Sequence, residues 1–161
     1  MNKTSQLTPD DERMTKTLDE RSVWAYAIVG PLATLTYFVV VLSQLAQRPP
    51  AEIQWQVPML IAIGVIMLGT ILGTILSAIA TAIATGGRET EFGSDIRDKQ
   101  INRYGQRATE IVSGLALGAV LVLAMLDLDT FWIGNAAFAM GAVGGLWGAI
   151  VKIRAYGRSF A

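Results

Sequence analysis

Charged residues are absent from four long apolar stretches of this chain. The stretches cover residues 22–47, 53–87, 111–126 and 130–151. A helix of about 20 apolar residues spans the roughly 30 Å hydrocarbon core of a bilayer. Three stretches reach that length, and residues 111–126 reach it if their helix begins near Gly105 or Ala108. The pattern therefore predicts an all-α membrane protein with four transmembrane helices.

The charges outside these stretches are distributed unevenly between the two sides of the predicted helices. Twelve of the 13 Lys and Arg residues lie in the N-terminal tail, the second loop or the C-terminal segment that begins at Lys152, and only Arg48 lies in another loop. Basic residues accumulate on the cytoplasmic side of membrane proteins, so both termini and the second loop are predicted to be cytoplasmic. Because the other two loops are short, we expect consecutive helices to be antiparallel neighbours in an up-down-up-down bundle.

The predicted organisation is a single transmembrane domain, residues 22–156, between an N-terminal tail (1–21) and a short C-terminal end (157–161). Its spans are expected at about 22–47, 57–85, 105–126 and 130–152. Ser94 is a suitable helix N-cap, and no proline lies between it and the third span. The third helix is therefore expected to extend into the cytoplasm from about residue 94.

The composition agrees with a membrane protein and restricts its chemistry. The chain is 52% hydrophobic and 16% charged, whereas soluble domains carry about 25% charged residues. It contains no Cys and no His, which excludes thiolate and imidazole metal sites, His-ligated haem, and Cys–His or Ser–His–Asp catalysis. Since no catalytic constellation is left, the sequence predicts neither an enzyme nor a cofactor.

Small residues recur every four positions in the second, third and fourth helices. Residues at this spacing share one helix face, and small side chains there let two membrane helices approach closely. The repeats predict a tightly packed bundle, a homo-oligomer or a larger membrane complex. The candidate packing positions are Gly69, Gly73, Gly114, Gly118, Gly141 and Gly145.

A few polar or helix-bending residues lie within or beside the spans. Gly30-Pro31 can form a hinge or a packing kink, and packing is the simpler interpretation. Asn135 is expected to make a hydrogen bond between helices, and the Thr hydroxyls of helix two to bond to carbonyls of their own helix. Asp127 and Asp129 are interpreted as a turn and a helix cap rather than as a cation site.

The second loop and the start of helix three contain the largest concentration of charge. Lys99, Arg103 and Arg107 are four residues apart and share one helical side; we call these three residues the basic face. One interpretation is contact with anionic lipid headgroups, at about 1 kcal/mol per basic residue. The others are docking of a cytoplasmic partner and a proton or ion site at Glu110. Arg107 and Glu110 are also a candidate intramembrane ion pair.

The segment from Asp95 to Gly105 reads Asp-Ile-Arg-Asp-Lys-Gln-Ile-Asn-Arg-Tyr-Gly. It resembles a family of small bacterial four-helix inner-membrane proteins, a domain of unknown function with an Asp-Glu-Arg-Asp-like motif and a basic–Gly pair before the third helix. Ile96 stands where that family has an acidic residue. Residues 126–135 and 152–158 carry the same resemblance, which covers roughly 90–160. It implies a bacterial source and the four-helix topology, and it implies no substrate.

These observations favour a non-enzymatic structural, accessory or regulatory membrane protein that acts through helix packing and the basic face. The alternative is a small oligomeric transporter or channel, since a passive pore needs no charged residue within the membrane. The expected partners are membrane lipids and, in an oligomer or complex, other membrane helices. No nucleic acid is expected as a partner, and the predicted location is the bacterial cytoplasmic membrane.

Overall fold

Four long α-helices make up nearly all of the described structure. This computed structural model describes residues 17–84 and 96–158. Within those ranges the helices are α1 (Leu18–Leu45), α2 (Gln56–Ala84), α3 (Ile96–Met125) and α4 (Thr130–Arg158), with a 3-10 turn at Pro50–Glu52. Each of the four is long and apolar enough to cross a membrane. The predicted all-α fold with four transmembrane helices is confirmed.

α1 begins before its predicted start because the residue that precedes it caps the helix. The Thr17 side chain accepts a hydrogen bond from the backbone N–H of Glu20 at 3.2 Å, and Asp19 and Glu20 lie in the first turn. A capping hydroxyl and acidic side chains both stabilise a helix N-terminus. α1 then continues without a break through Pro31 to Leu45.

α3 and α4 extend beyond the predicted spans at the ends that carry charge. α3 is continuous from Ile96 to Met125, in agreement with the expected extension before residue 105. The predicted cap Ser94 lies outside the described residues, as do residues 1–16 of the tail. α4 continues to Arg158, past the predicted end at 152. Since neither extension contains proline, the backbone hydrogen bonds of each helix can continue.

The helices pack as two antiparallel hairpins that are joined through α1 and α4. α1 packs against α2, α3 packs against α4, and α1 also packs against α4. Among the described residues, α2 and α3 make no comparable contact although they are consecutive in the sequence. The order across the structure is therefore α2–α1–α4–α3. The antiparallel neighbours expected across the two short loops, α1 with α2 and α3 with α4, are confirmed, whereas α2 and α3, which the second loop joins, do not pack together in the described structure.

The distribution of small residues explains why α4 is central and α3 is not. Gly145 of α4 faces Tyr26 of α1, and Gly148 of α4 faces Thr109 of α3. Small residues on two faces allow two close neighbours. In contrast, none of the residues in the most apolar part of α3 is buried within the chain, so α3 packs along one side only.

Three of the six predicted glycine packing positions lie at helix contacts in this chain. A Cβ atom at Gly69 would lie 2.8 Å from Val29 of α1, and a Cβ atom at Gly73 would lie 3.1 Å from Ala25. A Cβ atom at Gly145 would overlap the Tyr26 side chain. At these positions glycine permits the close approach that its spacing predicts.

The other three glycines do not lie at a helix contact within the described chain. No described residue lies within 4 Å of the place that a Cβ atom would take at Gly114, Gly118 or Gly141. All three are exposed, because they lie on outward sides of α3 and α4 that no described helix covers. Their contribution to an oligomer or a larger complex stays a prediction.

The buried core lies at the end of the helices that is remote from the chain termini, and Asn135 is part of it. The hydrophobic members of this core are Tyr37, Val41, Ile53, Ala62 and Phe131. The Tyr37 hydroxyl donates a hydrogen bond to Asn135 Oδ1 at 2.7 Å, and Asn135 Nδ2 donates to the Phe131 carbonyl at 2.8 Å. The interhelical role predicted for Asn135 is confirmed, and its buried amide is paired as an apolar environment requires.

The loop between α3 and α4 forms the predicted turn and cap. Asp127 has a φ of 53°, in the left-handed region that reverses the chain direction after a helix. Asp129 Oδ1 accepts a hydrogen bond from the backbone N–H of Phe131 at 2.8 Å, so its carboxylate caps the start of α4. Asp127 thus lies in the turn and Asp129 caps α4, as predicted.

Polar and small residues inside α1 and α2 also have local roles. The Thr70 hydroxyl donates to the Ile66 carbonyl at 2.6 Å, and the Thr74 hydroxyl donates to the Thr70 carbonyl at 2.7 Å, which confirms the predicted back-bonding. The Tyr26 ring lies over Gly30, with Cζ 3.2 Å from the place of a Cβ atom. This contact favours the packing interpretation of Gly30-Pro31.

Candidate functional site at the basic end of the helices

α1 and α3 begin, and α2 and α4 end, at one end of the structure, which we call the basic end. Arg21 Nη1 of α1 donates to the Ser77 carbonyl and to the Thr81 hydroxyl of α2, both at 2.7 Å. Asn102 Nδ2 of α3 donates to Asp19 Oδ2 of α1 at 3.1 Å. These hydrogen bonds hold the starts of α1 and α3 beside each other and attach α1 to the end of α2.

Asp98 is buried near the start of α3 and joins that helix to α4. Its side chain is 2% exposed, and its Oδ1 accepts a hydrogen bond from the Tyr156 hydroxyl at 3.0 Å. Asp98 Oδ2 has no hydrogen-bond partner among the described residues. Burial of a poorly paired carboxyl group costs free energy. The hydrogen bond from Tyr156 lowers this cost and so stabilises the start of α3 in its position beside α4.

The first turns of α3 therefore have an inner side and an outer side. The inner side is buried or partly buried and consists of Asp98, Ile101, Asn102 and Gly105. The outer side carries the basic face, and all three of its residues are exposed. At 1.5 Å rise per residue these cations extend over about 12 Å. Because the inner side is bound to α1 and α4, the basic face is held in an outward orientation.

Glu110 is exposed and lies three residues after Arg107 on α3. Side chains at this spacing are neighbours on a helix surface, so the positions are compatible with an Arg107–Glu110 ion pair. The pair itself stays a prediction, as does a proton or ion site at Glu110. Contact of the basic face with lipid or with a protein partner also stays a prediction.

A partly open cavity lies beside the contact of α1 with α4. α2 flanks this cavity on one side and α3 flanks it on the other. Its volume is about 290 Å³, and residues of all four helices line it. Gly145, Gly148 and Ala149 of α4 contribute a small-residue wall. The polar lining residues are Ser22, Tyr26, Thr70, Thr109 and Lys152. The cavity results from the helix order, because α2 and α3 lie on opposite sides of the α1–α4 pair and do not pack against each other.

The Lys152 side chain passes over Gly105, a buried glycine of α3, and lines this cavity. A Cβ atom at Gly105 would overlap Cγ of Lys152 and would lie 2.6 Å from its Cε. The ammonium group interacts electrostatically with Asp19, but it forms no hydrogen bond or ion pair with any described residue. The aliphatic part of Lys152 is thus packed on α3, and its N–H donors are not used by the described chain.

The residues of the inner side and of the cavity were not predicted to form a site. A signal exists for Asp98, which lies three residues before Ile101 and seven before Gly105, on a helix side that otherwise carries apolar or small residues. A weaker signal exists for Lys152, which follows Gly145 and Gly148 at helical spacing. Neither signal shows which helix the residue will contact.

Within residues 17–84 and 96–158, no three Asp or Glu side chains converge on a possible metal site. Comparison of the chain with protein-family models, with curated proteins and with solved structures finds no match. The basic face and the cavity are therefore the two candidate sites of the described chain.

Proposed function

We propose that this chain is a non-enzymatic accessory or regulatory protein of the bacterial cytoplasmic membrane that binds acidic surfaces through the basic face. The observation that supports this best is that Lys99, Arg103 and Arg107 are exposed on a helix whose other side is bound to α1 and α4. A group that is already held in place loses less conformational freedom on binding. Suitable ligands are anionic lipid headgroups or an acidic segment of a cytoplasmic protein.

The cytoplasmic orientation of the basic face is part of the proposal. The starts of α1 and α3 and the end of α4 lie together at the basic end. Twelve of the 13 Lys and Arg residues belong to the sequence segments that adjoin this end. The positive-inside rule assigns such an end to the cytoplasm, and the resemblance of residues 95–105 supports a bacterial membrane.

The expected strength of the interaction follows from the number of exposed cations. A basic residue near an anionic membrane surface contributes about 1 kcal/mol. Three such residues contribute about 3 kcal/mol, which corresponds to a change of roughly 100-fold in a binding constant. Since the three side chains are exposed, salt should screen the attraction over a Debye length of about 8 Å at physiological ionic strength.

The test compares the basic face with exposed arginines elsewhere. One variant combines Lys99→Gln, Arg103→Gln and Arg107→Gln. The control variant combines Arg48→Gln with Arg154→Gln, because both arginines are exposed and lie outside α3. The proteins are reconstituted in nanodiscs of phosphatidylglycerol and phosphatidylcholine and then extracted in mild detergent. Native mass spectrometry counts the retained lipids, and a photoreactive amino acid in place of the exposed Gln106, beside the basic face, captures protein contacts in cells.

We expect the triple variant to lose retained phosphatidylglycerol or the captured protein, and the control variant to keep both. Loss of lipid identifies headgroups as the ligand, whereas loss of only the captured protein identifies an acidic partner. Higher salt should reproduce the effect of the triple variant in the unmodified chain. If the triple variant and the control retain the same lipids and the same cross-links, the basic face sets topology only.

A further inference from the structure

The cavity between α2 and α3 contains hydrogen-bond donors that the proposed function does not use. Tyr26 lines the cavity, and its hydroxyl, which lies against Gly145, makes no hydrogen bond with a described residue. Lys152 lines the cavity as well, and its ammonium group forms no hydrogen bond or ion pair with a described residue. Ser22 and Thr109 each donate to a carbonyl of their own helix, at 2.8 Å and 3.0 Å. Hydroxyl groups can rotate, so both can turn towards a ligand.

Glycines bring these groups together from three helices. Gly145 leaves space for the Tyr26 hydroxyl of α1, and Gly148 leaves space for the Thr109 hydroxyl of α3. Gly105 of α3 leaves space for the aliphatic part of Lys152. A Cβ atom at any of the three glycines would overlap one of these side chains. The small residues thus place a cation and two hydroxyls around one space of about 290 Å³.

The chemistry of the lining suits an oxyanion. An ammonium group and hydroxyl groups donate hydrogen bonds, and donors to a charged oxygen form the stronger class of hydrogen bond. Asp19 is the acidic group that acts on Lys152, but its Oδ2 already accepts a hydrogen bond from Asn102 at 3.1 Å. Among the described residues, no Asp or Glu lines the cavity itself, so an anion bound there would not compete with a negative group of this lining.

The size and the depth of the cavity narrow the ligand further. Cavities that take drug-sized ligands begin at about 300 Å³, so a space of about 290 Å³ suits a small group. Lys152 lies where the predicted fourth span ends, which is the depth of phospholipid headgroups, and basic pockets between membrane helices bind such headgroups. We propose that this cavity binds a phosphate group, with Lys152 and Tyr26 as its principal donors. The phosphate belongs either to a phospholipid headgroup or to free inorganic phosphate.

The experiment removes one donor at a time and pairs each change with an exposed control. Lys152→Gln is compared with Arg48→Gln, and Tyr26→Phe with Tyr104→Phe, since Arg48 and Tyr104 are exposed and lie outside both proposed sites. Titration with phosphatidylglycerol, followed by native mass spectrometry, measures lipid affinity. Thermal denaturation in detergent, with sodium phosphate or with sodium chloride at equal ionic strength, measures binding of free phosphate.

We expect Lys152→Gln to weaken binding of one phosphate-containing ligand by about 10-fold or more, as loss of a charge-assisted hydrogen bond does. Tyr26→Phe should weaken it by about two- to tenfold, since a neutral hydrogen bond is lost. Neither control should change it. A Lys152-dependent loss of one bound lipid identifies a headgroup, and a Lys152-dependent loss of stabilisation by phosphate alone identifies the free ion.

Two further variants separate a loss of folding, or a failure of the basic face, from a failure of this site. If Lys152→Gln does not fold, Tyr26→Phe decides, because it keeps the ring that covers Gly30. The triple basic-face variant should keep the Lys152-dependent ligand, so failure of the proposed function and failure of this site are distinguishable. Unchanged affinity for both phosphatidylglycerol and phosphate in the Tyr26 and Lys152 variants would overturn the proposal.

Discussion

Gly141 and Gly145 lie one turn apart on α4 in different surroundings, and they form a matched pair for mutation. A Cβ atom at Gly141 would meet nothing within 4 Å, whereas one at Gly145 would overlap the Tyr26 hydroxyl and lie 2.8 Å from Tyr26 Cζ. The Tyr26 ring cannot retreat easily towards its own helix, because it already lies over Gly30 at 3.2 Å from the place of a Cβ atom. Substitution by Ala raises helix propensity by about 1 kcal/mol at either position. The difference between the two Ala variants therefore isolates the contact with Tyr26.

Overpacking of a well-packed contact costs about 1–3 kcal/mol. We expect Gly145→Ala to be less stable than Gly141→Ala by this amount. For a chain of this size, 1 kcal/mol corresponds to roughly 2–4 °C in the unfolding midpoint, so the two midpoints should differ by about 2–12 °C. Thermal unfolding by circular dichroism in one detergent measures the difference. Light scattering after gel filtration checks that both variants keep the same oligomeric state.

A double-mutant cycle assigns the cost to the Tyr26 hydroxyl. Tyr26→Phe removes the atom that lies nearest to the added methyl group. The cost of Gly145→Ala should therefore fall by at least about 0.5 kcal/mol in the Tyr26→Phe background, as expected for residues in contact. Equal midpoints for the two single Ala variants would show that Tyr26 does not pack on Gly145. The described contact between α1 and α4 would then be wrong.

Three other substitutions test contacts that hold the helices together, each by thermal unfolding in the same detergent. Arg21→Ala should lower the free energy of unfolding by about 1.5–3 kcal/mol, the value of hydrogen bonds from a charged group. Substitution of the exposed Arg154 by Ala should change it by no more than about 0.5 kcal/mol. Equal effects of the two variants would contradict the role of Arg21 between α1 and α2. Tyr37→Phe should cost about 0.6–1.7 kcal/mol because it removes an interhelical hydrogen bond to Asn135, and an unchanged midpoint would mean that this bond is absent. Asp127→Gly should raise stability by up to about 1 kcal/mol because glycine adopts positive φ without strain, while Asp127→Val should lower it; the opposite order would contradict the described turn.

The helices could be predicted because about 20 uncharged residues leave few alternatives to a membrane span. The ends of the helices were less predictable, because a capping residue or charged side chains allow a helix to continue beyond its apolar span into the headgroup region. Thr17 caps α1 before residue 22, and α4 continues past 152 to Arg158. These extensions contain the residues that form the basic end. Prediction of apolar spans alone thus omits part of the candidate site.

Loop length predicts the contacts of α1 with α2 and of α3 with α4, but neither loop length nor glycine spacing predicts the contact of α1 with α4. Repeats of small residues occur in α2, α3 and α4, but Gly114 and Gly118 of α3 face no other helix in the chain. The α3 positions that contact α4 include Gly105 and Thr109, outside that repeat. Spacing identifies a helix side that permits close approach. It does not identify a partner, because that depends on which side chain fits over the small residue.

The role of Asp98 depends on a contact across two helices. As an acidic residue in the first turn of α3, it suits the positive end of the helix dipole, and its spacing from Ile101 and Gly105 does not show which helix covers it. It is buried because α4 extends far enough for Tyr156 to reach it at 3.0 Å. The exposure of Lys99 one residue later follows from the same contact, since adjacent residues point in directions about 100° apart on a helix.

The basic face and the cavity therefore depend on the same few contacts. The hydrogen bonds of Asp98 and Asn102 set the rotation of α3, and that rotation points Arg103 outward while it turns Gly105 and Thr109 towards α4. A different rotation of α3 would bury a cation of the basic face and would remove a donor from the cavity. Tyr156→Phe tests this dependence, because it removes the hydroxyl that Asp98 accepts from and leaves both proposed sites chemically intact. If α3 is fixed as described, Tyr156→Phe should weaken binding at the basic face and at the cavity together. Loss of binding at one site alone would show that the two are positioned independently.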